Sequence, residues 1–186
     1  MTLQEIYNQL KAEGHESDKG SIHSYIEVYE EILRPYRATA KNILEIGLLE
    51  GASMRMWERY FSEQANVYGI DCDETPIGGR YDLRPIIAEG THKIFIGDAE
   101  DQATIEKFFL GIKFDVIIED ANHSFDQQML LYRNFKPYLN KDGIYIIEDI
   151  QEVVPFYKYI DSEKTIETID RRHIKNRYDD VLVVIK

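Results

Sequence analysis

From Asn42 onward the chain repeats one pattern: a short apolar run, an acidic or glycine-bearing turn, then a stretch with helical spacing. Strands that alternate with helices in this way lie side by side in a parallel sheet, because each helix carries the chain back to the edge where the next strand starts. The runs at residues 43–46, 67–70, 93–96, 114–118 and 144–147 predict five such strands, with helices over 53–61, 102–110 and 125–138. Two later runs, 165–168 and 181–185, have no helical pattern between them and predict an antiparallel hairpin at the sheet edge. The expected fold class is α/β: a mostly parallel sheet with helices on both faces and a C-terminal antiparallel hairpin.

Ahead of the sheet, Thr2 and Glu5 have the spacing of a capping box, and Leu3, Ile6, Tyr7 and Leu10 form one apolar stripe, which predicts a first helix ending before Gly14. A turn at Ser17-Asp18-Lys19-Gly20 precedes a second predicted helix, capped by Ser21, with Ile22, Tyr25, Ile26, Tyr29 and Leu33 on one face and Pro35 as its stop. No repeat or Pro/Gly/Ser-rich linker divides the 186 residues, so one domain is expected: 1–40 as a helical segment or lid and 41–186 as the α/β core. The 34 Asp and Glu outnumber the 22 Lys and Arg, and the net charge of −12 is spread along the chain, which argues against nucleic acid as a partner. One cysteine, Cys72, allows no internal disulfide. The N-terminus is charged throughout, and no run reaches the roughly 20 apolar residues of a membrane span. A cytoplasmic protein with no membrane partner is the expectation.

The acids fall where such a sheet binds ligands, at the carboxyl ends of its strands. Glu45-Ile46-Gly47-Leu48-Leu49-Glu50-Gly51-Ala52-Ser53 is a strand-to-helix turn whose glycines let a ligand approach the backbone. Asp71 ends the second run near the roughly 20-residue spacing at which an acid takes ribose hydroxyls, and Gly97-Asp98-Ala99 ends the third. Ala52 stands where a dinucleotide fingerprint has its third glycine, and Glu45 is electrostatically unwelcome beside a diphosphate. S-adenosylmethionine suits the same crevice: its ribose for Asp71, its adenine for Asp98 and Ala99, and its cationic groups for the surrounding acids. At the fourth and fifth strand ends stand Glu119-Asp120-Ala121-Asn122-His123 and Glu148-Asp149. If the two strands are neighbours, Asp120 and Asp149 converge as hard ligands for Mg²⁺, with His123 beside them as a general base for an alcohol.

The stretch Asp18-Lys19-Gly20 with His23, Tyr25 and Tyr29, then ILEIGLLEGASMRMW, DVIIEDANHSFDQQ and GIYIIEDI, resembles the class I S-adenosylmethionine methyltransferases of the macrolide sugar O-methyltransferase type, such as the mycinamicin and demethylmacrocin enzymes. The resemblance implies a Rossmann-like sheet and methyl transfer to a hydroxyl of a sugar or glycosylated small molecule in natural-product biosynthesis. It implies Mg²⁺ held by Asp120 and Asp149, His123 as the catalytic base, and cofactor binding by Glu45, Gly47, Gly51, Ser53, Asp71 and Asp98. The related motif commonly reads Asp-Asp-Gly-Ser-His, so the loop before His123 departs from it while the histidine spacing is kept. A further metal ligand is implied by the macrolide enzymes; Glu148 is a candidate for it, and no position is assigned. Two other readings remain open: a noncatalytic S-adenosylmethionine-binding or assembly subunit, and a nicotinamide oxidoreductase. A homo-oligomer, in which a second copy helps enclose the pocket, is compatible with all three.

Three smaller features carry expectations. Met54, Met56 and Trp57 read as core packing. The connection 73–90 is long for its place between a strand and the next, and reads equally as a substrate or subunit contact, an extra hairpin or a surface excursion. The cluster Arg171-Arg172-His173 with Lys175 and Arg177 reads as a solvated hairpin tip.

Overall fold

The computed structural model describes residues 1–151, 158–160 and 163–186. Helix α1 (Leu3–Ala12) starts with the predicted capping box: the Glu5 amide donates to Thr2 Oγ1 at 3.2 Å and the Thr2 amide to Glu5 Oε2 at 2.7 Å. The next segment differs from expectation. A single turn, α2 (Asp18–Ser21), is capped by Ser17, whose Oγ accepts from the Lys19 amide, and α3 (Ile26–Leu33) begins only after Tyr25. Ser21 is therefore the last residue of a turn and not a cap; its hydroxyl donates to the Ser17 carbonyl, and Ile22 is left exposed between the two helices.

The predicted strands all form: β1 (Asn42–Ile46), β2 (Asn66–Asp71), β3 (Lys93–Ile96), β4 (Phe114–Glu119), β5 (Leu139–Ile147), β6 (Ile166–Asp170) and β7 (Val181–Ile185). Their order is β3-β2-β1-β4-β5-β7-β6, parallel through β5, with β7 antiparallel to both neighbours. Ile43 and Leu44 point to opposite faces, as alternation along a strand requires. Ile43 packs with Trp57, Met54 and the N-terminal helices, while Leu44 packs with Phe109, Phe135 and Tyr145. Both faces are thus covered, by α4 (Ala52–Tyr60) among others on one side and by α7 (Gln102–Phe109) and α8 (Phe125–Phe135) on the other. Trp57, Met54 and Met56 are core residues, as expected. Helix α8 stops short of the predicted 138 because Pro137 has no amide proton to continue it, and a 3-10 turn, Lys136–Tyr138, leads into β5.

The chain runs outward from β1 to β3 and then returns to the other side of β1 at β4, so the direction of winding switches between β1 and β4. Open α/β sheets leave a crevice at that point, outside the strand carboxyl ends.

Two connections are more ordered than their sequence implied. Residues 73–90 hold no hairpin; they hold a kinked turn, α5 (Pro76–Gly79), and α6 (Arg84–Glu89), whose buried Ile86 packs so closely under Gly51 that a Cβ there would lie 2.8 Å from it. The hairpin tip, with α9 (Arg172–Lys175), is not merely solvated. Lys175 Nζ donates to the carbonyls of Gly20, Ser21 and His23, at 2.5, 3.1 and 2.7 Å, and Arg171 donates to Glu27 at 3.0 Å. Among the described residues no helix is long and apolar enough to cross a membrane.

Candidate active site

The switch point between β1 and β4 is closed by a backbone contact that only glycine permits. Gly47 has φ +86°, and a Cβ on it would stand 2.2 Å from the Asp120 carbonyl oxygen. Beyond it the turn is pulled over the sheet edge by Asp71, whose Oδ2 accepts from the Leu48 amide at 2.8 Å. Leu49, with φ +51°, and Gly51, which caps α4 at φ +76°, complete the bend. A cavity of about 290 Å³ lies over this turn, lined by Gly47, Leu48, Asp71, Asp98, Ala99 and Asp120 among others. A smaller one of about 130 Å³ continues from it past Ser53 toward Asp18 and Tyr81.

Of the residues expected at a cofactor, Gly47, Asp71, Asp98 and Ala99 therefore stand on the wall of the larger cavity, and Ser53 on that of the smaller. Gly51 and Glu45 reach neither. Gly51 is occupied by helix capping and by Ile86. Glu45 stands farther back. It is fully buried behind the turn, where its Oε2 accepts from Ser53 Oγ at 2.7 Å and from Trp57 Nε1 at 3.1 Å, and its Oε1 faces Lys19 Nζ at 3.2 Å. Its place in the strand points it inward, among the helices that cover that face, and not out of the strand end.

The adjacent ends of β4 and β5 bring Asp120, His123 and Asp149 together, with one donor atom from each lying within 4.8 Å of the others. Glu119 pairs with Ile147 in register, so the two acids that follow these strands converge as neighbouring strand ends. Asp149 holds a left-handed backbone, φ +55°, a conformation that costs about 1–3 kcal/mol at a non-glycine residue and concentrates at functional sites. His123 Nε2 lies 3.7 Å from Asp149 Oδ2. His123 Nδ1 is buried without a hydrogen-bond partner among the described residues.

Behind this group stand residues whose roles the sequence did not announce. Lys19 is 1% exposed, and its ammonium lies 2.5 Å from Asp120 Oδ2, 2.8 Å from Glu148 Oε1 and 3.2 Å from Glu45 Oε1. Tyr29 donates to Glu148 Oε1, Tyr25 donates to Asp149 Oδ1 at 2.7 Å, and His23 Nδ1 stands 3.2 Å from that same oxygen. Two signals were available: the stretch Asp18-Lys19-Gly20 with His23, Tyr25 and Tyr29 is part of the family resemblance, and the i, i+4 pair of tyrosines has hydroxyls that can reach polar groups a purely apolar stripe cannot. Nothing in the local sequence marks Lys19 as buried.

Charge in this region is out of balance. Burial pulls the Lys19 ammonium down, but Asp120, Glu148 and Glu45 outweigh it and hold the pKa well above the ordinary lysine value. Burial, then the charge of Asp120, pushes Asp149 up to about 8, and the same two causes raise Glu148 well above the usual carboxylate range. Burial, with the charges of Asp120 and Asp149 adding to it, carries Glu119 up to about 8. Three carboxylates around one ammonium, with Asp149 beside them, make a region that favours a further cation.

The sheet order and the strand-end crevice define the fold of the class I methyltransferases. MycE methyltransferase from the mycinamycin biosynthetic pathway, solved with Mg, SAH and mycinamycin VI, superposes with a TM-score of 0.65 at 23% identity, over 80% of this chain and 39% of that one. An O-methyltransferase from Bacillus cereus solved with SAH gives 0.68 at 18% identity, over 99% and 90% of the two chains. In sequence, the chain is 30% identical over 144 residues to the 8-demethyl-8-alpha-L-rhamnosyl tetracenomycin-C 2'-O-methyltransferase of Streptomyces olivaceus, covering 74% of this chain and 36% of that protein. It is 33% identical over 144 residues to the L-olivosyl-oleandolide 3-O-methyltransferase of Streptomyces antibioticus, covering 73% and 35%. The chain thus spans about a third of the length of these curated relatives. Residues 44–150 match the family model described as a methyltransferase domain, and the chain belongs to that family.

Proposed function

We propose that the chain transfers a methyl group from S-adenosylmethionine to a hydroxyl of a sugar or glycosylated small molecule, with Mg²⁺ held by Asp120 and Asp149 and His123 as general base. The observation that carries this reading is the convergence of Asp120, His123 and Asp149 beside a cavity lined by Gly47, Asp71, Asp98 and Ala99. The relatives named for methyl transfer to rhamnosyl and olivosyl groups support the sugar acceptor.

The donor set fits the metal: the two carboxylates of Asp120 and Asp149, with no thiolate beside them, suit a hard divalent cation better than a soft one, and His123 stands next to them as the base and not as a ligand. The larger cavity fits the nucleoside part of the cofactor, with apolar walls from Ile46, Ile70 and Leu131 and the carboxylates of Asp71 and Asp98 at its rim. Bound, the metal would lower the pKa of an acceptor hydroxyl, and the cofactor would supply a methyl group on a sulfonium.

His123 takes the hydroxyl proton as the oxygen attacks the methyl carbon. The new C–O bond forms as the S–CH₃ bond breaks, and S-adenosylhomocysteine is left. The Asp149 carboxylate, 3.7 Å from His123 Nε2, stabilises the imidazolium so formed. Gly47 and the Asp71-held turn keep the backbone close to the cofactor, which aligns donor and acceptor and removes much of the entropic cost of bringing them together.

Calorimetry with S-adenosylhomocysteine tests the cofactor, and methyl transfer to a panel of glycosides with and without chelator tests the rest. No binding at millimolar ligand sinks the cofactor assignment; unchanged turnover in chelator sinks the metal. Binding without transfer to any acceptor would favour a noncatalytic binding subunit.

A further inference from the structure

The connection from β2 to β3 closes on itself before it enters α6. The Leu83 amide donates to the Glu74 carbonyl at 2.8 Å and pins the two ends of the loop 74–83 together. Behind that stem Leu83 and Ile86 are buried, with Ile86 packed under Gly51. Ahead of it Asp73 accepts from the Thr75 amide at 2.9 Å and from its hydroxyl at 3.2 Å. The tip bonds only to itself: the Gly79 amide donates to the Thr75 carbonyl at 3.0 Å, and the Arg80 and Tyr81 amides donate to Ile77 and Pro76 at 3.3 Å. Among the described residues no hydrogen bond of residues 75–82 leaves the segment 73–84. A loop closed at its ends and bonded internally can turn as one body on its stem, and its few ties to the rest of the fold make that motion cheap.

The tip is also strained. Ile77, Gly78 and Gly79 follow one another in the left-handed region, with φ of +54°, +64° and +84°. For a β-branched residue such as Ile77 that conformation is an outlier. A Cβ on Gly78 or Gly79 would meet nothing within 4 Å, so packing does not call for glycine there, and the pair serves as a swivel. Ile77 is 63% exposed although it stands with Pro76 on the wall of the larger cavity, and Tyr81 stands on the wall of the smaller one. A large apolar side chain in a costly backbone conformation, bared to solvent beside a cavity with apolar walls, is placed to be covered by what the cavity binds.

We propose that residues 74–83 are a clasp on the methyl donor: the loop turns on its Glu74–Leu83 stem, and Ile77 closes over the nucleoside in the larger cavity. This rests on the reading of that cavity as the nucleoside site. Closure buries Ile77, shields the donor from water and ties product release to reopening of the loop. Ile77 binds through contact with the cofactor, while Gly78 and Gly79 act by letting the tip move.

The motion is tested by the distance between nitroxide labels on Arg80→Cys and Glu63→Cys in a Cys72→Ser background, measured by double electron–electron resonance with and without S-adenosylhomocysteine. The distance is expected to shift on binding. The grip is tested by stopped-flow kinetics: Ile77→Ser is expected to release S-adenosylhomocysteine about tenfold faster than wild type, with the association rate unchanged. Leu110→Ser, which removes an exposed leucine that lines neither cavity, is expected to change neither rate. With S-adenosylhomocysteine bound, an unshifted distance or an unchanged release rate in Ile77→Ser overturns the clasp and leaves the cofactor assignment standing. A wild type that binds no S-adenosylhomocysteine at millimolar concentration overturns both.

Discussion

The Tyr25 hydroxyl donates to Asp149 Oδ1 at 2.7 Å, joining the residue before α3 to the residue that ends the β5 turn. A buried carboxylate that loses a neutral donor loses a charge-assisted bond, so Tyr25→Phe is expected to destabilise the fold by about 1.5–3 kcal/mol. It also leaves Asp149 free to turn away from His123. Urea unfolding measures the first effect and Mn²⁺ affinity the second; unchanged values for both would remove Tyr25 from the support of the site.

Gly47→Ala introduces a Cβ 2.2 Å from the Asp120 carbonyl at a φ of +86°. The backbone conformation alone costs roughly 1–2 kcal/mol with a side chain, and the contact with backbone adds to it. The variant is expected to lower the urea midpoint and to lose S-adenosylhomocysteine binding, because the turn can relieve the clash only by moving away from β4. Wild-type affinity in a folded variant would show that the close approach is dispensable.

His123→Ala removes the proposed base without touching the larger cavity's wall. Transfer is expected to fall by about 10²–10⁴-fold while S-adenosylhomocysteine affinity stays at the wild-type value. A parallel loss of affinity would place His123 in cofactor binding instead.

His92 lies away from the site, buried, with neither ring nitrogen hydrogen-bonded among the described residues. Burial lowers its pKa below 6.5, and Glu58, 3.6 Å away, only partly offsets this. The unfolded chain, with the histidine near 6.5, therefore binds the proton first as pH falls, and stability is lost from about pH 6.5 downward through the folded value. Urea midpoints at pH 7.5 and 5.5 are expected to differ less in His92→Phe than in wild type. Equal drops in both would show that His92 does not contribute to acid destabilisation.

Much of this architecture was readable from local pattern. The apolar runs of β1 to β5, the hairpin of β6 and β7 and the acids after β4 and β5 depend on spacing within a few residues, and spacing is what a sequence displays. The exceptions depend on what the chain brings together later. Ser17 and Ser21 are both good caps; the chain uses Ser17, whose Oγ accepts from the Lys19 amide, and the same turn brings Gly20 so close to Tyr7 that a Cβ would lie 2.5 Å from the ring. Glu45 resembles a strand-end acid, yet its direction along β1 aims it at Ser53 and Trp57. Lys19 looks like any exposed lysine in a polar turn, and its burial follows only once β1, β4 and β5 lie side by side.

The grip of Lys175 on the carbonyls of Gly20, Ser21 and His23 has a consequence for how the protein is made. As the chain emerges during synthesis, α1 and the first βα units can form early from nearby residues. The turn that carries Lys19 has no strand end to meet until β5 has followed, and no clamp until the last hairpin has been added. Contacts of such long sequence separation form late and slowly. The turn that carries Lys19 precedes the whole sheet in sequence and yet is among the last segments to settle, because the strand ends and the clamp that hold it lie later in the chain.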